Sequence, residues 1–394
     1  MNANSTPLPA TTSVVIVGAG PTGLTAAITL ADADIDFVLL DRLAESSNTS
    51  RAAVVHARTL EIFEQLGIAE ELISTGLITS RFALYDGKHA LATIAFDDLP
   101  TRYPYILTTP QATTEAILLN RLRKAGGEVY RPYRVSRVIN EKDGATVEYT
   151  DAAGNPGSIG ADYVIGADGI HSVVREQAGI GFAGGTYPES FLLADIRMDW
   201  PITHAGSVHL HQEGIAVIFP LPDEQTTNRY RIVAPLENTP DHPTAADIQS
   251  ILDIYGPGGA VEVREVLWSS HFRIHHRVAD HYRRDRILLA GDAAHVHSPA
   301  GGQGMNTGIQ DAAALGPLVT RVLAGEPGTL LHNYEATRRP VALDVVSFTD
   351  RMTRIATLHS RPARAVRNLA LTTLIRIPAV RHRLASRLAE LANS

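Results

Sequence analysis

The chain has 394 residues, a formal net charge of −7, 44% hydrophobic residues and no cysteine. That length supports one large folded unit or two interleaved domains, with ample material for a core. The missing cysteine excludes disulfides, thiolate metal sites and a cysteine nucleophile, and the mild negative balance gives no electrostatic case for nucleic acid.

No Lys or Arg precedes Arg42, so the apolar run SVVIVG lacks the positive leader of a signal peptide. No apolar run has membrane-spanning length, and the expectation is a soluble, cytoplasmic protein. Residues 13–18, SVVIVG, are β-branched and end at glycine, which predicts a buried strand. PTGLTAAITLADAD follows as a helix and DFVLLD at 36–41 as a second strand, a βαβ unit at the start of the chain. RTLEIFEQLG predicts a helix with Leu60, Phe63 and Leu66 on one side and Gly67 as its stop. TTEAILLNRLRKAGG predicts another, with Leu118, Leu122 and Ala125 at helical spacing ahead of Gly126. From 128 to 168 turn chemistry separates short strands, the last of which, in ADYVIGADG, again ends in glycine. Residues 190–235 run apolar or alternate, which predicts an antiparallel sheet. DRILLAGD at 285–292 is one more buried strand, so the α/β part resumes there.

The expected architecture is therefore a discontinuous α/β domain from 1–75, 101–180 and 278–345, with a sheet-rich module from 76–100 and 181–277 inserted in it. A helical segment over 346–394 closes the chain. From 351 onward that segment is basic: the arginines from Arg351 to Arg387 face only Glu390. It reads as a solvated helix face pairing with acids elsewhere, the alternative being a membrane-surface or anionic-partner helix.

GAGPTG places Gly18, Gly20 and Gly23 in G-x-G-x-x-G spacing, after a strand and at the start of a helix. Glycine there makes the tight turn, lets backbone approach a pyrophosphate and lets helix pack on strand. Asp41 ends the second strand, where an acid binds ribose hydroxyls. NAD, NADP and FAD sites share this loop. A second stretch, AGDAAHVHSPAGGQGMN at 290–306, sets Asp292, His295 and His297 ahead of a glycine cluster. Histidines two apart share a face only in a strand, and no third ligand stands at a metal-site spacing. No metal is expected, and His295 reads as scaffold for a loop that lies against a ligand.

RAAVVHARTLEIFEQLG, YVIGADGIHSVVR and LLAGDAAHVHSPAGGQGMNTGIQDAAAL together resemble the FAD-dependent aromatic monooxygenases. These are the single-component flavin hydroxylases related to para-hydroxybenzoate hydroxylase and the aromatic polyketide hydroxylases. The resemblance implies a Rossmann-like FAD-binding domain with an inserted antiparallel-sheet substrate domain and C-terminal helices. It implies that Gly18, Gly20 and Gly23 approach the FAD pyrophosphate and that Asp41, where the family usually has Glu, binds the adenosine ribose. Arg51 would pair with phosphate oxygens, Gln111 would lie near the ribityl chain, and Asp292 would hydrogen-bond the ribityl hydroxyls. Asp168 would belong to a segment serving both FAD and the nicotinamide nucleotide, closed by Arg175. Pro299 would flank the isoalloxazine ring, and Gly301, Gly302 and Gly304 would let backbone come close to it. The helix beginning near Met305 and Asn306 would aim its N–H groups at the ring's N1–C2=O edge.

The implied reaction consumes NADPH or NADH and O2. A C4a-hydroperoxyflavin would pass its distal oxygen to a phenolic or polyketide-like aromatic, as in secondary metabolism. Substrate contacts are expected from HLHQEGIAVIFPLP, with Val217, Phe219 and Leu221 alternating toward one face. His209, His211, Tyr103 and Tyr105 stay outside the catalytic expectation. Many members carry a thioredoxin-like C-terminal domain, which this chain is expected to lack. The alternatives on the same fold are epoxidation, Baeyer–Villiger oxidation, and FAD held without net redox chemistry. A plain NAD-linked dehydrogenase is opposed by the Gly-Asp loop.

Overall fold

Strands that are apolar on both sides become the centre of a parallel sheet, because both faces are covered by helices. Val14, Val15 and Ile16 are fully buried in the strand Thr11–Val17. It pairs in parallel with Phe37–Leu40 on one side and Pro156–Gly166 on the other. Ile287–Leu289 joins Pro156–Gly166 in parallel, and Val129–Tyr130 joins Phe37–Leu40. The helix Pro21–Ala31, with Pro at its start where the lost N–H costs nothing, packs against Gln111–Lys124 and Gly304–Leu323. The computed structural model describes residues 8–45, 52–202, 205–212, 214–223, 228–236, 243–256, 261–299, 301–356, 358 and 360–393, without the side chains of 187–189 and 393.

The second sheet has eight strands in the order His295–Val296, Val263–Ala279, Phe182–Met198, Arg229–Pro235, Gly214–Pro220, Gly206–His211, Arg81–Asp86 and His89–Ala95. All neighbours are antiparallel except Gly206–His211 with Arg81–Asp86. Side chains alternate between its faces. Leu192, Ala194 and Ile196 pack under the helix Ala245–Tyr255, with Ile248 and Ile251, in a core of their own. Phe191 and Leu193 face the other way, toward the parallel sheet.

Pairing departs from the expected segment limits at two edges. Leu77–Thr79 pairs with Ile106–Thr108, itself paired with Val54–Val55, in a separate three-stranded sheet. His295–Val296 joins the large sheet through Arg277 and Val278. Short strands choose partners by spatial proximity rather than by chain position, so local periodicity carried no signal for either. The helices His332–Ala356, Arg361–Leu374 and Pro378–Leu388 finish the fold, the last two lying on His89–Ala95.

Candidate functional site

A cleft of about 240 Å³ opens over the carboxyl ends of Thr11–Val17 and Phe37–Leu40, where doubly wound sheets place ligands. Gly18 has φ +100°, and a Cβ there would sit 2.3 Å from the Ala167 carbonyl oxygen. A Cβ on Gly23 would sit 1.8 Å from the Gly18 carbonyl oxygen. Strand–helix packing alone demands these two glycines. Gly20 is different: nothing lies within 4 Å of a Cβ there, so its bareness leaves room in the cleft. It also starts the helix Pro21–Ala31 with no side-chain cap, which leaves first-turn N–H groups for an anion.

Asp41 accepts the Ala19 N–H at 2.7 Å and the Leu43 N–H at 2.8 Å, folding back onto the glycine loop. Arg131 Nη2 stands 4.0 Å from it. Arg131 was not singled out from the sequence. Its Nη1 is buried at the cleft wall with no hydrogen-bond partner, and an unsatisfied guanidinium N–H beside an uncapped helix start fits a phosphate oxygen. Only the pairing of Val129–Tyr130 with Phe37–Leu40 brings it there. Gln111 accepts the Ala52 N–H at 3.2 Å and donates to Glu115 at 2.7 Å, and burial raises the Glu115 pKa. Asp168 lines the same cleft and accepts from Ser172 Oγ and from the Val174 N–H at 3.2 Å. Burial raises its pKa against the pull of those bonds. Arg51 lies outside the described residues.

Past Gly20, Gln111 and Gly169, which line both spaces, the cleft continues into a chamber of about 540 Å³. One wall is the large sheet, with Phe191, Val217, Phe219 and Phe272. Opposite lie Pro299, Gly301, Gly302, Gly304 and Met305, and Met352 and Leu388 of the last helices close a third side. Leu221 is not in this wall: it is 2% exposed and packs in the main core. The strand ends at Pro220, so the alternation that presents Val217 and Phe219 stops one residue early. His209 also falls on the far face, stacked on Tyr85 at 5.1 Å, and His211 packs on Tyr255 there. Tyr103 and Tyr105 form an edge-to-face pair at 6.2 Å, outside the chamber lining.

Two histidines present polar ring atoms to the chamber beside the glycine loop. His56 Nε2 donates to the Gly301 carbonyl at 2.8 Å, and its buried Nδ1 has no partner. His297 Nδ1 donates to the Ser298 carbonyl at 2.9 Å, and its buried Nε2 has none. Burial lowers both to about 4, so each is a neutral ring carrying one unused lone pair. His56 gave no signal beyond its place in a helix-start segment. Arg231, fully buried and also lining the chamber, is held by Asp195 at 2.6 and 3.0 Å and donates to the Ala52 carbonyl at 3.0 Å.

The Gly-Asp loop is braced from behind. Asp311, fully buried, accepts from His295 Nε2 at 2.6 Å, Arg338 Nε at 2.7 Å and the Gly291 N–H at 3.2 Å. The charges of His295 and Arg338 hold its pKa below the usual carboxylate range despite burial. Arg175 ties this loop to the Asp168–Gly169 turn that follows Pro156–Gly166, donating to the Ala293 and Ile170 carbonyls at 2.9 Å each. Asn306 accepts the His56 N–H at 2.9 Å and donates to the Val54 and Gly302 carbonyls, so its side chain is spent on backbone. The helix Gly304–Leu323 begins with no side-chain cap and no acid in its first turn, and Gly304 and Met305 present that positive end to the chamber. Asp292, exposed, lines the same space. Deeper in the core, Glu390 accepts from Thr307 at 3.3 Å and from Gln310, and burial raises it to about 8. Among the described residues no group of three or more His, Asp or Glu could hold a metal ion.

A family described as FAD binding domain matches residues 11–349. A flavin-dependent monooxygenase of Mycobacteroides abscessus is 36% identical over 349 residues, covering 86% of this chain and 73% of its own. The anhydrotetracycline hydroxylase OxyS of Streptomyces rimosus superposes with a TM-score of 0.81 at 33% identity, over 97% of this chain and 76% of that one. The p-nitrophenol 4-monooxygenase of Pseudomonas putida superposes at 0.86 and 25% identity, over 97% of this chain and 98% of that one. A match of that extent to the family, with relatives this similar along most of their length, makes the chain a member of the FAD-binding family and a flavin-dependent monooxygenase.

Proposed function

We propose that the chain hydroxylates a phenolic or polyketide-like aromatic, taking electrons from NADPH or NADH and one oxygen atom from O2. The observation that carries this reading is the continuity of a cleft holding an uncapped helix start and the unpartnered Arg131 Nη1 with a chamber of about 540 Å³ lined largely by aromatic and aliphatic side chains. Bound FAD would supply electron transfer from the nicotinamide and activation of O2. The chain's own groups would do the rest. Gly18, Gly20 and the start of Pro21–Ala31 would receive the pyrophosphate with Arg131, and Asp41 and Glu115 would face the adenosine side. Gln111 and Asp292 would border the ribityl chain, and Asp168 the rim that a nicotinamide nucleotide approaches. The uncapped start of Gly304–Leu323 would favour negative charge on the ring edge by about 0.3–2 kcal/mol. Pro299, Gly301 and Gly302 leave a flat surface for a ring, and the surrounding apolar wall excludes water. The names of the relatives above, an anhydrotetracycline hydroxylase and a p-nitrophenol 4-monooxygenase, support an oxygenated ring as substrate.

His56 and His297 set what such a ring needs. Each neutral lone pair is an acceptor for a hydroxyl, and an acceptor buried without a donor discriminates against analogues that lack one. Replacing His297 by Phe should weaken binding of a phenol about ten- to hundredfold and leave its methyl ether within about twofold. The check is flavin fluorescence titration of both compounds; equal losses for the two would sink this role.

The reaction itself is tested by mixing the flavin-loaded protein anaerobically with NADPH or NADH, with and without a panel of phenols and hydroxylated polycyclic quinones. One compound should accelerate bleaching of the flavin by orders of magnitude, and air should then return a product heavier by one oxygen. A bound flavin that neither nucleotide reduces with any aromatic would discard the hydroxylase reading in favour of a non-redox pocket.

A further inference from the structure

The helix Arg361–Leu374 is built inside out. Its one fully buried side chain is Arg367, 4% exposed, whose guanidinium donates to the Ala356 carbonyl at 3.1 Å and stands 3.6 Å from Asp86. Three of its four large aliphatic residues face away from the protein, with Val366 68% exposed and Leu369 66%, while Leu371 is half-buried. A surface helix of a water-soluble fold shows the reverse pattern. The same outward apolar surface continues through Leu374 and Ile377 to Val380, at 49%, 47% and 37% exposed, and Ile355 flanks it at 51%.

The rim of this surface is cationic. Residues 351–394 hold nine arginines against one glutamate, a formal +8, in a chain whose total is −7. Four of the arginines are paired as the sequence suggested: Arg354 with Asp350, Arg367 with Asp86, Arg381 with Asp98 and Arg387 with Asp344. Arg361, Arg376 and Arg383 are exposed and form no ion pair among the described residues. Glu390, the one acid, is buried. No helix among the described residues is long and apolar enough to cross a membrane.

We propose that this face docks on the surface of an anionic lipid bilayer, with the aliphatic stripe in the headgroup boundary and Arg361, Arg376 and Arg383 on the lipid phosphates. An exposed aliphatic stripe edged by arginines is the pattern of an interfacial helix. A second copy through the same face would set arginine against arginine, which costs energy. The placement suits the chamber, because Met352 and Leu388, on helices of this same layer, form one of its walls. A lipophilic ring dissolved in the bilayer would meet the protein on that side.

The test is co-sedimentation of the flavin-loaded full chain with vesicles of phosphatidylcholine alone and with equal parts phosphatidylcholine and phosphatidylglycerol. The protein should pellet with the mixed vesicles at low salt, be released at high salt, and stay in solution with phosphatidylcholine. Leu369→Glu should weaken binding about ten- to hundredfold, and Arg376→Ser with Arg383→Ser about fivefold for each charge removed. Flavin content and spectrum should match the parent in both variants, since none of these residues touches the chamber. Three results would overturn the proposal. One is absence of binding to the mixed vesicles, which would pass the face to an acidic protein. Another is parental binding by Leu369→Glu. The third is light scattering in which Leu369→Glu turns a dimer into a monomer, which would assign the face to a second copy. The readout does not involve turnover, so it stands or falls independently of the hydroxylase reading.

Discussion

Gly23→Ala is expected to give a protein that loses about 2–4 kcal/mol of stability and purifies without flavin. The added Cβ would stand 1.8 Å from the Gly18 carbonyl oxygen; the oxygen is backbone and the Cβ is fixed to backbone, held by the parallel sheet and the helix behind it, so neither can swing aside. The turn that shapes the cleft must open instead. Gly20→Ala is the control that gives this meaning. Its Cβ would meet nothing within 4 Å, so the apoprotein should unfold within about 0.5 kcal/mol of the parent. The methyl group would instead occupy the space through which a pyrophosphate approaches the helix start, and FAD affinity should fall about a hundredfold. Urea unfolding of the apoproteins and flavin titration separate the two effects. If both variants bind FAD like the parent, the cleft is not the cofactor site.

Asp311→Ala carries the second expectation, a loss of about 3–5 kcal/mol. Its carboxylate is the shared acceptor for Arg338, His295 and the Gly291 N–H, and Arg338 is itself only 7% exposed. Removing the carboxylate leaves a buried guanidinium without a counter-charge and frees the loop that carries Asp292. Asp311→Asn keeps the shape and removes only the charge, so it should retain the loop while losing much of the stability. The pH dependence follows from the depressed pKa. Between the folded value and the higher unfolded value the unfolded chain binds the extra proton, so this stabilisation is fully present above the ordinary carboxylate range. It is lost as pH falls through that window toward the folded value. Urea midpoints on the acid side should therefore depend less on pH in Asp311→Asn than in the parent. A midpoint within about 0.5 kcal/mol of the parent for Asp311→Ala would show that the buried cluster carries no net stability.

The two glycine loops were legible as sequence because their requirements are local. A strand that must turn within two residues and then start a helix against itself needs the positive φ of Gly18 and the bare Gly23 beside the Gly18 carbonyl, although Gly18 must also clear Ala167 just past a distant strand. Asp41 was legible for the same reason, since the second strand of a βαβ unit ends beside the first. Val217 and Phe219 followed from strand alternation, and Leu221 did not, because the place where a strand stops is decided by pairing with Arg229–Pro235 and not by the run of apolar residues. Arg131, His56 and Glu115 were invisible for a further reason: each is an ordinary residue on an ordinary element, and becomes part of the site only when distant strands and helices converge.

The basic C-terminal segment shows the division most sharply. Its sequence established a +8 charge over 351–394 and helices, and both follow from composition and periodicity within the segment. Which side of those helices faces water was not contained in it. Arg367 turns inward toward Asp86, on a strand far earlier in the chain, and the Ala356 carbonyl, and Asn368 beside it donates to Asp86; with that side held inward, Val366 and Leu369 face outward. Sequence by itself determined a dinucleotide-binding frame, because turns, strand runs and helix starts are settled by neighbours along the chain, and FAD as its occupant came from the resemblance of three segments to a known family. Tertiary structure alone decided the chamber's polar contacts and the outward face, because these depend on which charges and lone pairs meet across space.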